Sequence, residues 1–295
     1  MNYESFCQSL FASLMKVLPE GCSLRRHSVL KTNGQTQDAF FILRAGSSFA
    51  PLVYLKPLYR CFQDGESLES LCAAVLNRLE RELPANEQLL KRLQDPEEIK
   101  SRLAFRLISQ KSNEKLLEDL PWIPYLDMAI VFYIHIERDE SSQMTSFVHT
   151  DQAESLGLDT GELYRIAMDN TPRILPSKIT PLEQLIFGEE NCPLPHSEES
   201  APFYVLTNSA GIYGAACILY QDLLFNFAAS FEGGSVLVIP SSVHETILVP
   251  DTGESAYDAL RRSIRDVNRT AVAPEDVLSE QLYRYSRGDS CLRIA

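Results

Sequence analysis

The chain carries seven cysteines but no C-x-x-C pair, and no cluster of cysteine and histidine with zinc-ligand spacing. Positions 7, 22, 61, 72, 192, 217 and 291 are odd in number and unpaired in spacing, which argues against a disulfide framework. They read as reduced thiols of a cytoplasmic protein, with Cys72 and Cys217 inside apolar helical patterns. No apolar run approaches the roughly 20 residues that a membrane span requires. The opening MNYESFCQSLFASLMKVLPEG lacks a basic n-region and is interrupted by Glu4, Gln8 and Lys16, so it reads as an amphipathic helix of a soluble protein, not a signal peptide. Positive charge is also in short supply. Against 40 acidic side chains stand 27 basic ones, and a net charge of -13 repels phosphate backbones, so nucleic acid is not an expected partner and the acidic surface serves solubility. There is no Walker or dinucleotide fingerprint, no H-E-x-x-H and no G-x-S-x-G elbow. No cofactor, metal or catalytic residue is therefore assigned.

What is present is enough apolar sequence for a full core: 45% of the 295 residues are hydrophobic and 23% charged, which suits one large domain or two ordinary ones. Residues 1–95 read as an α-β-β-β-α module. Phe6, Leu10, Leu14 and Val17 lie at helical spacing; SLRRHSVL and DAFFILRA flank a turn containing Asn33-Gly34; PLVYLK is a short third strand ending at Pro57. Leu68, Leu71, Cys72, Val75 and Leu79 make a second helix, closing near Pro84. The charged stretch from Asn86 to Ser112 is a connector, with Pro96 starting or breaking a helix and LAFRLIS as a possible strand. Residues 96–295 are then a larger domain built on a mixed sheet with helices.

Within that domain, SNEKLLEDL is a short helix capped by Ser112 or Asn113. MAIVFYIHI and TSFVHT make a hairpin around ERDESSQM, and GELYRIAMDNT is a helix. The acidic, proline-rich segment Pro172–Pro202 is treated as an ordered loop or flap. FYVLT is a strand, Gly214 to Phe231 a long apolar helix stopped by Gly233-Gly234, and SVLVI and ETILV are strands joined by PSSVH. One long helix carries Tyr257, Leu260, Ile264 and Val267, and a last one starts near Pro274 with Val277, Leu278 and Leu282.

A strand, helix, strand succession makes a crossover with parallel strands, whose C-terminal ends share one edge of the sheet. That edge would gather Thr207, Asn208, Ser209, Gly211 and Gly214 near Ser241, Ser242, His244 and Glu245, with helix amides from Gly214 aimed at it as an anion site. The plainer reading is that Asn208, Ser209 and Gly211 shape a turn and cap a helix. His244-Glu245 is not followed by a second histidine, since position 248 is Leu, so a turn histidine is expected. Ser241 or Ser242 with His244 could pair as nucleophile and base only if geometry allows. Cys217 is expected to be buried, and Asp127, Asp169 and Asn170 to cap or face solvent. Arg261, Arg265 and Arg269, with Arg262, form a basic stripe that either docks an acidic partner or pairs with Glu254, Asp258 and Asp266.

YVLTN, GAACILY, VIPSSVHETILVP and VLSEQLYRYSRG resemble an uncharacterised family of bacterial domains of unknown function, of gut-anaerobe type. RLISQKSNEKLLEDLPWIPYLDMAIVFYI, YRIAMDNTPRILP and PLVYLKPLYRCFQDG extend the resemblance over nearly the whole chain. More distantly the layout is similar to YtpQ-like proteins. The resemblance implies a bacterial cytoplasmic protein and supplies no catalytic residues. The fold expected is α+β. The function expected is a non-enzymatic protein- or ligand-binding or regulatory module, with another protein or a second copy as partner. The alternative is a hydrolase or transferase using Asn208, Ser241, His244 and Glu245. A nucleic-acid-associated factor would need the arginine stripe as an exposed basic surface.

Overall fold

The structure, a computed structural model, describes residues 1–44, 52–79, 95–139, 142–188 and 202–295. The chain divides into two compact units, Met1–Lys31 with Gln35–Ile99, and Thr32–Gly34 with Lys100–Ala295. The class is α+β.

In the first unit, helix α1 (Tyr3–Val17) begins at Asn2, whose side chain accepts a hydrogen bond from the Ser5 amide at 2.9 Å. Phe6, Leu10 and Leu14 recur every four residues, so they share one face and are fully buried. They join the core of an antiparallel sheet, β1 (Cys22–Leu30), β2 (Thr36–Arg44) and β3 (Leu52–Tyr54), in that order. Asn33 and Gly34, with φ of 56° and 65°, reverse the chain between β1 and β2. The expected α-β-β-β-α order lacks one helix. Directly after β3 comes α2 (Leu55–Gln63), and α3 follows over 68–79. Pro57, read as the end of a strand, lies in the first turn of α2, where its missing amide costs no hydrogen bond. Leu71, Cys72, Val75 and Leu79 pack with Phe40, Ile42 and Val53. The expected close at Pro84 and the first part of the connector expected from Asn86 to Ser112, residues 86–94, lie outside the described residues.

Helix α4 (Pro96–Ser101), with Pro96 as its first residue, begins in the first unit and ends in the second, where strand β4 (Leu103–Ser109) follows. A 3₁₀ turn and α5 (Glu114–Leu117) follow. Asn113 stands at the cap position without making the capping bond, and its side-chain amide donates instead to the Ser109 carbonyl at 2.7 Å. WIPY is a strand that periodicity did not reveal, β5 (Trp122–Tyr125). Next come β6 (Met128–Asp139) and β7 (Ser142–Phe147), the expected hairpin, whose Glu140 and Ser141 are not described. Helices α6 (Thr150–Ser155) and α7 (Thr160–Ile174) come next; Asp159 and Glu162 cap α7 reciprocally. The segment expected to be a loop from Pro172 holds the end of α7, strand β8 (Ser177–Pro181) and α8 (Leu182–Phe187); its residues 189–201, Cys192 included, are outside the described residues.

The rest is β9 (Tyr204–Asn208), α9 (Leu223–Ala228), β10 (Ser235–Ile239), β11 (Thr246–Pro250), α10 (Tyr257–Thr270), β12 (Tyr283–Ser286) and β13 (Cys291–Ile294). The large sheet runs β13-β12-β10-β11-β9-β8, and every described pairing in it is antiparallel, where a mixed sheet was expected. The reason is that β11 folds back between β9 and β10. Those two strands do run in the same direction, but as second neighbours. The long helix expected from Gly214 to Phe231 is broken: Gly214–Leu219 is 3₁₀, Asp222 takes a left-handed φ of 56°, and α9 is a separate piece. The helix expected after Pro274 is a single 3₁₀ turn. Leu278 and Leu282 are buried in chain without regular secondary structure that leads to the β12–β13 hairpin.

The crossover packs into the largest core. Ala215, Ala216, Cys217, Ile218 and Leu224 join Leu103, Phe105 and Phe132 of a four-stranded sheet, ordered β4-β6-β5 with β7 also paired to β6, and Leu206, Val236 and Val238 of the large one. Edge strand β4 leaves amides and carbonyls without a strand partner, and α7 supplies the missing groups. Thr171 Oγ1 accepts from the Phe105 amide at 3.1 Å and donates to the Ala167 carbonyl at 2.6 Å. Asn170 donates to the carbonyls of Lys100 and Leu103. Thr171→Val keeps the shape and removes the acceptor, stranding a buried amide, and is expected to cost about 1–3 kcal/mol in urea unfolding. An unchanged midpoint would show that this bond does not hold α7 to the edge strand.

Candidate functional site

Because β9 and β10 run the same way, the loops leaving them emerge at one edge of the sheet, and β11 begins there. The two loops are in direct contact. Thr207 Oγ1 donates to the His244 carbonyl at 2.8 Å, and the Tyr213 amide donates to His244 Nδ1 at 3.2 Å. Asn208 is buried and closes its own loop: its amide group donates to the Ile212 carbonyl at 2.6 Å and its oxygen accepts from the Ala210 amide at 3.1 Å. Gly211, at φ 66°, completes that turn. A Cβ on Gly214 would stand 2.5 Å from the His244 carbonyl oxygen and 2.8 Å from the Asn208 amide nitrogen, and closer still to Thr207 Oγ1. Only glycine fits.

The second loop is equally self-bonded. The Ser242 hydroxyl accepts from the His244 amide at 3.0 Å, the Ser242 amide donates to the Glu245 carbonyl at 3.2 Å, and Ser241 Oγ meets Glu245 Oε1 at 3.5 Å. Its Val243 amide donates to the Asp276 carbonyl at 2.9 Å, which brings in the 3₁₀ turn Pro274–Asp276. Since His244 Nδ1 accepts a backbone bond, the ring proton sits on Nε2, and that nitrogen faces Asp276 Oδ1 at 3.3 Å. Both side chains are about one-third exposed. The expected anion site on helix amides is not formed: the Ala215 amide is taken by the Val243 carbonyl, and the segment is a 3₁₀ helix of six residues.

The neighbours of these loops include residues that the sequence did not single out. Tyr213 is held at a left-handed φ of 52°, and its ring stacks on His244 at 5.7 Å and 15°. Tyr133 meets it edge-on at 5.4 Å, and Thr145 Oγ1 lies 3.3 Å from its hydroxyl. Arg106 Cζ lies 4.2 Å from the centre of the same ring and 4.0 Å from that of Phe147. Arg106 is 7% exposed and has no carboxylate in ion-pair contact among the described residues. Burial pushes its guanidinium below the ordinary arginine value, opposed by the nearby Tyr213 and Tyr133 hydroxyls and the more distant Asp276. A strand pattern with an arginine among apolar residues, LAFRLIS, was the one available signal for it.

The other expected residues are structural or paired. Cys217 is fully buried, its thiol is pushed up to about 12 by burial, and Sγ contacts the Thr207 carbonyl at 3.4 Å. Asp127 accepts from the Ser279 and Tyr283 hydroxyls. Asp169 lines a cavity of about 800 Å³ with Met168, Tyr220 and Phe227, and Ser241 lines one of about 190 Å³ with Phe203, Ile264 and Val267. On α10, Arg261 pairs with Asp258 at 2.9 Å and Arg269 with Asp266 at 3.1 Å, while Arg265 is exposed. Such exposed pairs are worth about 0–1 kcal/mol each.

A model of a family of unknown function (DUF5688) matches residues 3–287. The chain belongs to that family. No curated protein and no solved structure matches it. Membership of DUF5688 therefore brings no assigned activity, and the chemistry has to be read from the site itself. Among the described residues, no group of three or more His, Cys, Asp or Glu side chains is placed to hold a metal ion, and no helix is long and apolar enough to cross a membrane.

Gly214→Ala is expected to destabilise by about 3 kcal/mol or more, because the contacts it meets are mostly backbone and cannot step aside. Native unfolding within a few tenths of a kcal/mol of wild type would show that the loops are not locked there. The Cys217 peptide is expected to stay unmodified by iodoacetamide at mildly alkaline pH until the fold is opened with denaturant. Labelling of the native protein at that residue would contradict its burial.

Proposed function

We propose that this DUF5688 chain is a non-enzymatic binding or regulatory protein, with its site at the edge where loops 207–214 and 240–245 meet. One observation carries this reading: both ring nitrogens of His244 are engaged, one by the Tyr213 amide and one by Asp276. A general base needs a free lone pair facing the proton it removes. The serine beside it, Ser242, uses its hydroxyl to cap the His244 amide, and Ser241 faces Glu245 at the outer limit of a hydrogen bond, with no histidine between them. The polar residues of the edge are spent on holding one another. The hydrolase or transferase reading requires at least one of them to be released.

The partner this reading requires is a small ligand, another protein or a second copy of the chain. Nucleic acid fits poorly with a net charge of -13 and with Arg261 and Arg269 already paired along α10. A bacterial, cytoplasmic setting of gut-anaerobe type, and the remoter likeness to YtpQ-like proteins, rest on the motifs YVLTN and VIPSSVHETILVP and on the unpaired spacing of the cysteines.

A fluorophosphonate probe separates the two classes, since it labels only an activated hydroxyl nucleophile. The expected result is no adduct on Ser241 or Ser242. An adduct on either serine that disappears in His244→Ala would overturn the non-enzymatic reading.

A further inference from the structure

Among the described residues Arg106 has no carboxylate in ion-pair contact, and the Tyr213 and Tyr133 hydroxyls beside it, with Asp276 further off, offset its burial only in part. Arg106 sits on β4, paired with Val131 of β6, and points from the sheet face that also carries Tyr133, two residues further along β6. Its side chain is more than nine-tenths buried, and its Nε is sealed from solvent with no hydrogen-bond partner among the described residues. The Tyr133 hydroxyl is in the same condition. Removing a guanidinium from water costs several kcal/mol, and arginine does not escape that cost by giving up its proton. Two aromatic rings return only a part of it.

The rings also decide the direction from which help can come. The guanidinium lies over both the Phe147 and the Tyr213 ring, with Cζ about 4 Å from each centre. Its hydrogen bonds run in its own plane, and an arginine edge is a planar fork matched to a two-oxygen acceptor. Tyr133, in edge-on contact with Tyr213, adds a hydroxyl donor beside that fork. A neutral ligand or a water would accept the bonds and leave the charge. Asp276 sets its Oδ1 against His244 Nε2 at 3.3 Å, and among the described residues no ion pair joins it to Arg106. Its negative charge nearby, with the -13 of the whole chain, favours a singly charged partner over a doubly charged one.

We propose that Arg106 and Tyr133 are the fixed donors of a binding site for the carboxylate of a small organic ligand, with Tyr213 and Phe147 as its aromatic walls and His244 and Asp276 on its solvent-reaching side. This rests on the binding reading given above and names the class of ligand. The carboxylate takes the Arg106 edge in two parallel bonds, and the rest of the ligand leads toward the rim where His244 and Asp276 are about one-third exposed.

The full chain is tested by thermal unfolding and calorimetric titration with sodium acetate, with sodium phosphate and with chloride at matched ionic strength. Acetate is expected to raise the unfolding temperature and chloride to leave it unchanged. In Arg106→Met the ligand-free protein is expected to unfold at or above the wild-type temperature, because an unpaired buried charge has been replaced by an apolar chain. It should bind acetate at least about tenfold more weakly, and Tyr133→Phe should bind it several-fold more weakly. Arg106→Lys keeps the charge without the fork and serves if the methionine variant does not fold; it too should bind about tenfold more weakly.

Equal acetate affinity in wild type and Arg106→Met, or no response of wild type to acetate, overturns the proposal. So does a ligand-free Arg106→Met that is clearly less stable, since Arg106 would then be satisfied within the fold. Stabilisation by phosphate alone, lost in Arg106→Met, overturns the carboxylate assignment. A serine adduct with the fluorophosphonate probe would sink the non-enzymatic reading whatever acetate does. Silence toward acetate without any adduct sinks only the ligand class.

Discussion

The close approach at Gly214 is the constraint from which the rest of the site follows. With no side chain there, the exit of β9 and the turn into β11 occupy adjoining space, with the His244 carbonyl and the Asn208 amide within reach of the same point. The chain that fits this space has to put Tyr213 at a left-handed φ, which costs a non-glycine residue about 1–2 kcal/mol. What holds it there is the Tyr213 amide on His244 Nδ1, the stack of the two rings, and the hydroxyl beside Thr145. The strained residue places an aromatic ring against a buried arginine. A site that looks electrostatic is therefore set by sterics.

Much of the frame was legible. The Asn-Gly turn between β1 and β2, the hairpin of β6 and β7, and the edge shared by β9 and β10 all come from short-range signals: turn residues, alternation and the polarity of strand ends. The expected crossover makes β9 and β10 parallel, and they are, with β11 lying between them. The shared edge follows because the direction of a strand does not depend on who sits beside it.

What was not legible depended on contacts distant in sequence. GAACILYQDLLFNFAASF has the apolar content of one long helix, but the left-handed Asp222 and the burial of Ala215–Ile218 between two sheets break it into two pieces. YRYS alternates as a strand should, yet no element of its own is expected there, because four residues seldom decide a period. Leu55–Gln63 was hidden by Pro57, read as a stop although proline is well tolerated in a first turn. Arg106 was passed over for a related reason. In LAFRLIS both faces of the strand are apolar, so the arginine had no solvated side to point to, and that conflict was itself the signal.

Such conflicts separate function from stability in this fold. Thr207, Asn208, Ser242 and His244 obey the rule that buried or half-buried polar groups find partners, and in obeying it they give up the freedom a reacting group needs. Among the described residues Arg106 breaks the rule, on a chain whose net charge of -13 repels anions. The two scales do not compete. Surface charges are screened beyond about 10 Å at ordinary ionic strength, whereas a guanidinium between two rings acts at contact distance in a medium of low dielectric. The acidic surface slows the approach of an anion, and the buried edge decides whether it stays.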